Sequence, residues 1–76
     1  MPLLKKKFYI EPRNIVYFRF ITEGYEGLCL IHTVDGKAGI VEVSLPSELE
    51  DEFYEVIEAL REELGGDNLT EIVTIF

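Results

Sequence analysis

The segment from Ile21 to Gly27, Ile-Thr-Glu-Gly-Tyr-Glu-Gly, sets two carboxylates around one tyrosine between two hydrophobic runs. Glu23 and Glu26 are the types of group that serve as hard oxygen ligands or as a general acid and base. Two carboxylates on one turn lack the further ligands a cation requires, so the structural reading is preferred. Gly24 and Gly27 are expected to take positive φ, Tyr25 to fold back as an apolar plug with its hydroxyl near the surface, and both glutamates to remain in water. A second constellation is cationic. Arg13 and Asn14 begin a candidate helix whose free amides favour an anion, and Lys37 is expected at the same end of the molecule. The alternative there is that Asn14 caps its helix and Arg13 is solvated.

Other chemistry is poorly supported. His32 is the only histidine and Cys29 the only cysteine, so the pair falls short of a four-ligand zinc site and no intramolecular disulfide can form. No serine or cysteine pairs with a base and an orienting carboxylate, and no phosphate-binding or dinucleotide glycine pattern occurs. Neither catalysis nor a cofactor is expected. Fifteen acidic against seven basic residues give a formal charge of -8, which repels phosphate backbones and argues against nucleic acid.

The elements that must position these residues fit one small domain of 76 residues, close to the size at which a single core only just suffices. No apolar run approaches a membrane span, and the lysines follow rather than precede the short apolar pair at the start, the reverse of a secretory signal. A cytoplasmic location is expected. Leu49, Phe53, Val56, Ile57, Leu60 and Leu64 form one helical stripe, with Ser47 and Glu50 as a capping box and Gly65-Gly66 as the stop. The acidic residues of this helix read as a solvated outer face.

Leu28 to Val34 and Gly39 to Leu45 read as strands joined by Asp35-Gly36-Lys37-Ala38, a hairpin with Asp-Gly turn chemistry. Lys6 to Glu11 and Glu71 to Phe76 read as two further strands. Asn14 to Thr22 fits a helical stripe through Ile15, Phe18 and Ile21, but Val16, Phe18 and Phe20 also alternate as a strand would. A helix is preferred because Gly24 falls where it would end and because it completes the order β-α-β-β-α-β. The expected fold is an α+β, ferredoxin-like two-layer sandwich with a four-stranded antiparallel sheet and two helices on one face.

Such a sheet leaves one face open. With Val41, Val43 and Leu45 toward the helices, Ile40 faces outward, and the second strand is apolar on both sides. Cys29, Ile31 and Ile40 are therefore assigned to an interface, with a homodimer the simplest partnership.

The runs Asn14 to Phe18 and Glu23 to Leu28, followed by Thr33-Val34-Asp35, resemble a family of short bacterial proteins carrying a domain of unknown function. The resemblance extends from Ile10 to Leu64 and implies a fold but no reaction. The element order is also similar to that of ACT domains, small dimeric modules that bind amino acids or other effectors, although their acidic residue and glycine have no match in Glu11-Pro12-Arg13-Asn14. RNA-recognition domains share the order too, but the third strand lacks the aromatic residues that stack bases. The expectation is a non-catalytic, dimeric ACT-like module for a small effector. The alternative is an interaction module that docks through its open sheet face without a metabolite.

Overall fold

In the computed structural model, which describes residues 2–73, the ambiguous segment is a helix, α1 (Ile15–Glu23). Its burial pattern shows why the helix prevails. Ile15, Phe18 and Thr22 share one buried face, whereas a strand would have required Val16 and Phe20, both well exposed, to accompany Phe18. Thr22 is the one buried polar residue among the described residues, and its hydroxyl donates to the carbonyls of Phe18 (2.9 Å) and Arg19 (3.2 Å). That bond offsets the cost of removing the hydroxyl from water.

The remaining elements are β1 (Leu3–Ile10), β2 (Leu30–Asp35), β3 (Ile40–Pro46), α2 (Glu50–Leu64) and β4 (Leu69–Ile72). The sheet order is β2-β3-β1-β4 with every neighbouring pair antiparallel, the expected ferredoxin-like arrangement. Residues 74–76 of the expected last strand lie outside the described residues.

The core joins Phe8 and Ile10 of β1, Val41, Val43 and Leu45 of β3, and Leu69 of β4 to the buried faces of the helices. Phe8 meets Phe53 of α2 edge to face at 5.8 Å between ring centroids, a geometry that adds to the energy of burial. Strict alternation in β3 puts Val41, Val43 and Leu45 under the helices and leaves Ile40, Glu42 and Ser44 on the other side.

Helix α2 starts differently from the expected capping box. Ser47–Leu49 form a separate 3-10 turn, so the α-helix begins at Glu50, beyond the reach of the Ser47 side chain. The Ser47 hydroxyl instead donates to Glu48 at 3.2 Å. Glu50, Asp51 and Glu52 still place negative charge at the helix N-terminus, where the dipole favours it. At the other end Gly65 takes φ +98 and its amide donates to the Arg61 carbonyl, while the Asn68 side chain donates to the Leu64 carbonyl, so the last turn is satisfied. Gly65 thus supplies the expected stop.

Lys6 points to the helix side of β1. Its ammonium pairs with Glu50 at 3.1 Å and lies 5.1 Å from the centroid of the Tyr54 ring, and the Tyr54 hydroxyl donates to Glu71 at 2.7 Å. The neighbouring Tyr54 hydroxyl, opposed by burial and seconded by Glu50, holds the Lys6 ammonium above its ordinary range. This cluster ties β1, α2 and β4 together.

Candidate functional site

The turn between α1 and β2 differs in detail from its expected form. Gly24 has φ -68 and ψ -17, an ordinary right-handed conformation, and its amide still donates to the Ile21 carbonyl. The chain continues through two more tight bonds, Tyr25 amide to Thr22 carbonyl and Leu28 amide to Tyr25 carbonyl. Gly27 alone in this turn takes positive φ, at +75. The turn is longer than one glycine stop because Leu28 must re-enter the core, where it is 4% exposed, before β2 begins.

Three concave surfaces meet around this turn. One, of about 480 Å³, is lined by Phe20, Ile21, Glu23, Gly24 and Tyr25. A second, of about 430 Å³, runs between the turn and α2, with Leu28, Leu49 and Val56 as its apolar surface, Tyr25 beside them, and Glu26, Glu52 and Glu55 completing the lining. The third, of about 290 Å³, opens toward the sheet and is lined by Leu3, Gly27, Cys29, Leu30, Ser44 and Pro46. Tyr25 is half exposed between the first two, a wall shared by two depressions rather than a plug. Glu23 pairs with Arg19 at 3.8 Å one helical turn earlier. Leu49, Glu52, Glu55 and Val56 had no assigned site role in the sequence, although the seven-residue spacing of Leu49 and Val56 on one stripe puts them on the same side of the helix.

Cys29 sits where the turn meets the sheet. Burial, and then the Glu23 carboxylate, push its thiol up to about 11. A thiol held protonated in this way is a weak nucleophile at neutral pH. Among the described residues, no group of three or more histidine, cysteine, aspartate or glutamate side chains is placed to hold a metal ion.

The cationic residues lie at the opposite end. Glu11 accepts from the Arg13 amide at 3.2 Å and pairs with the Arg13 guanidinium at 3.0 Å. Asn14 occupies the N-cap position of α1, but its backbone is helical and its side chain makes no capping bond. Lys37 belongs to the β2–β3 hairpin, where Asp35 accepts from the amides of Lys37 and Ala38. Gly36 does not supply the left-handed residue of that hairpin; Gly39 does, with φ +77. None of the three depressions around the Tyr25 turn includes Arg13, Asn14 or Lys37.

Strand β2 settles which side each of its residues takes. Ile31 stands opposite Val43 and packs against the core, so it belongs to the helix-facing side. Cys29, one alternation earlier, also packs against the core. The outward residues are Leu30, opposite Ser44, and His32, opposite Glu42. Ile40 does face outward, opposite Tyr9 of β1. Continuing the register across the sheet gives one mixed row, His32, Glu42, Lys7 and Ile72, on the open face.

No helix among the described residues is long and apolar enough to cross a membrane. A family model described as "Domain of unknown function (DUF4911)" matches residues 8–64, a span that contains both the turn and the groove beside it. No curated protein matches the chain, and no solved structure does.

Proposed function

The chain belongs to the DUF4911 family, whose description names no activity, and from that premise we propose a non-catalytic module that pairs with a second copy of itself through the open face of its sheet. The observation that carries this reading is Leu30, 76% exposed on the edge strand β2 beside an apolar depression shared with Leu3 and Pro46. A large apolar side chain left exposed on the open face, opposite Ser44, marks a surface that another molecule can cover. Charge favours an identical partner. The open face mixes Lys5 and Lys7 with Glu42, so two copies can meet there with opposite charges facing, while the outer surface of α2 is acidic and repels itself.

The β-α-β-β-α-β topology resembles that of ACT-like domains, and a fuller form of the reading adds a small effector at Arg13, Asn14 and Lys37. Glu11 weighs against an anion there, because its carboxylate already receives the Arg13 amide and guanidinium. Association through the sheet therefore ranks above effector binding, and docking of the same face onto a larger protein is the neighbouring alternative.

Sedimentation velocity across a concentration series tests the proposal. The wild type is expected to sediment as a dimer and Leu30→Asp as a monomer with an unchanged circular dichroism spectrum. A wild type that stays monomeric at every concentration, or a Leu30→Asp variant that sediments like the wild type, would sink it. Ile31→Asp is a poor probe of the same interface, since a charge placed on the helix-facing side should cost about 2 to 3 kcal/mol of stability.

A further inference from the structure

From the groove between the Tyr25 turn and α2 we infer a docking site for a basic, amphipathic segment of another protein, in which one or two apolar side chains are flanked by lysine or arginine. The groove offers such a segment two complementary features. Its apolar surface is Leu28, Leu49 and Val56, and Leu28 is almost fully buried, so an inserted side chain would meet the edge of the core itself. The charged part of the lining is Glu26, Glu52 and Glu55, all exposed, and no basic side chain lines it.

The carboxylates of α2 are not equivalent. Glu50 is paired with Lys6 and Glu58 with Arg61. Among the described residues, Glu26, Glu52 and Glu55 have no cation within ion-pair distance, and unlike Asp51, Glu62 and Glu63, which also lack one, they line the groove. Three uncompensated negative charges around a low-dielectric surface favour a cation whose stem is also apolar, and lysine and arginine bury their methylene stems while keeping the charged head in water. The span from Leu49 to Val56 is seven residues, roughly 10 Å along a helix, which fits about three extended residues or two helical turns of a partner. A phosphate-bearing or anionic-lipid partner is opposed by the same charges.

The site is separate from the sheet face, so the two proposals can fail independently. The test uses the full chain, labelled with nitrogen-15, and three blocked peptides of equal length. One alternates lysine and leucine, a second replaces the leucines with serine, and a third replaces the lysines with glutamate. The expected result is saturable shifts of the Tyr25, Glu26, Leu28, Leu49 and Val56 amides with the first peptide only. Affinity should fall at least about fivefold when salt is raised from roughly 0.05 to 0.5 M, as screening shortens the reach of the carboxylates. The double variant Glu52→Lys, Glu55→Lys, with both substitutions on exposed positions, should lose that binding while keeping its circular dichroism spectrum.

Equal binding of the serine peptide, or shifts spread over the whole acidic surface of α2, would reduce the groove to plain charge attraction and overturn the inference. So would the absence of shifts, or spermidine producing the same shifts at the same concentration, which would indicate a small polycation rather than a protein segment. Repeating the titration on Leu30→Asp separates the readings: groove shifts that persist in a monomer leave this inference standing whatever the oligomeric state.

Discussion

The two ends of the sheet turn the chain by different means. Where β2 passes into β3, Gly39 is buried, and its carbonyl accepts from the Ile10 amide at 2.7 Å. The start of the next loop is bonded in turn, Glu11 amide to Asn68 carbonyl at 3.0 Å. At the other end the turn from Gly24 to Gly27 is exposed throughout and three depressions surround it. One end is fixed by close backbone approach, and the other leaves concave surface available. Binding surface is therefore sought at the second end, even though the cationic residues lie at the first.

Gly39 and Gly27, one positive-φ glycine from each of these turns, give the sharpest way to break this comparison. A Cβ on Gly39 would stand 2.2 Å from the Ile10 carbonyl oxygen and 2.9 Å from a ring carbon of Tyr9, at φ +77. A clash with backbone cannot be relieved by turning a side chain. Gly39→Ala is expected to cost on the order of 3 kcal/mol, from strain and overpacking together. A Cβ on Gly27 meets nothing within 4 Å, so only its φ of +75 is penalised. Gly27→Ala should cost about 1 kcal/mol. Urea unfolding of both variants checks the pair, and equal losses would remove the distinction between a packed end and an open one.

Gly27 was legible in the sequence as a left-handed turn position, and Gly39 was not. Gly24, expected beside Gly27, and Gly36 of the Asp-Gly pair both keep negative φ, and in the hairpin Gly39 carries the left-handed conformation instead. The requirement at Gly39 is set by the carbonyl of Ile10, 29 positions away in the chain, and a local pattern carries no information about that approach. Helix α2 and the alternation of β3 were legible because burial alone decides them, with Phe53, Ile57 and Leu60 inward on one and Val41, Val43 and Leu45 on the other. The orientation of β2 was not, since a strand apolar on both sides fits either register. Leu28 is buried in the turn before the strand begins, and Leu30, two residues on, faces out. The groove itself joins residues 25–28 to residues 49–56, so it required the tertiary structure to be seen.

Asp35 sharpens the same comparison at smaller scale. Its carboxylate accepts from two successive amides of the hairpin, Lys37 at 3.1 Å and Ala38 at 3.0 Å, and so closes the packed end. Asp35→Ala should lower stability by about 1 kcal/mol, because both amides are exposed and can turn to water. Glu26→Gln, at the open end, should change stability by less than about 0.5 kcal/mol, since no bond of the fold depends on that carboxylate. A Glu26→Gln variant as destabilised as Asp35→Ala would mean that the open turn is held by its charges.

The last effect is kinetic rather than a loss of stability at neutral pH, and it concerns Cys29, at the inner border of the open end. If that end admitted water freely to the thiol, Cys29 would ionise like an ordinary cysteine. Burial and the Glu23 carboxylate instead raise it from 9.0 to about 11, so near pH 8 its thiolate fraction should be lower by about a hundredfold, and its alkylation by iodoacetamide slower to match. The linkage has a definite sign. A folded-state value above the unfolded one contributes stability below pH 9.0 that is lost as the pH rises toward 11. Alkylation as fast as that of a free peptide thiol, with the fold intact, would show that the depression beside Gly27 opens into the core and that the contrast between the two ends is greater than the packing implies.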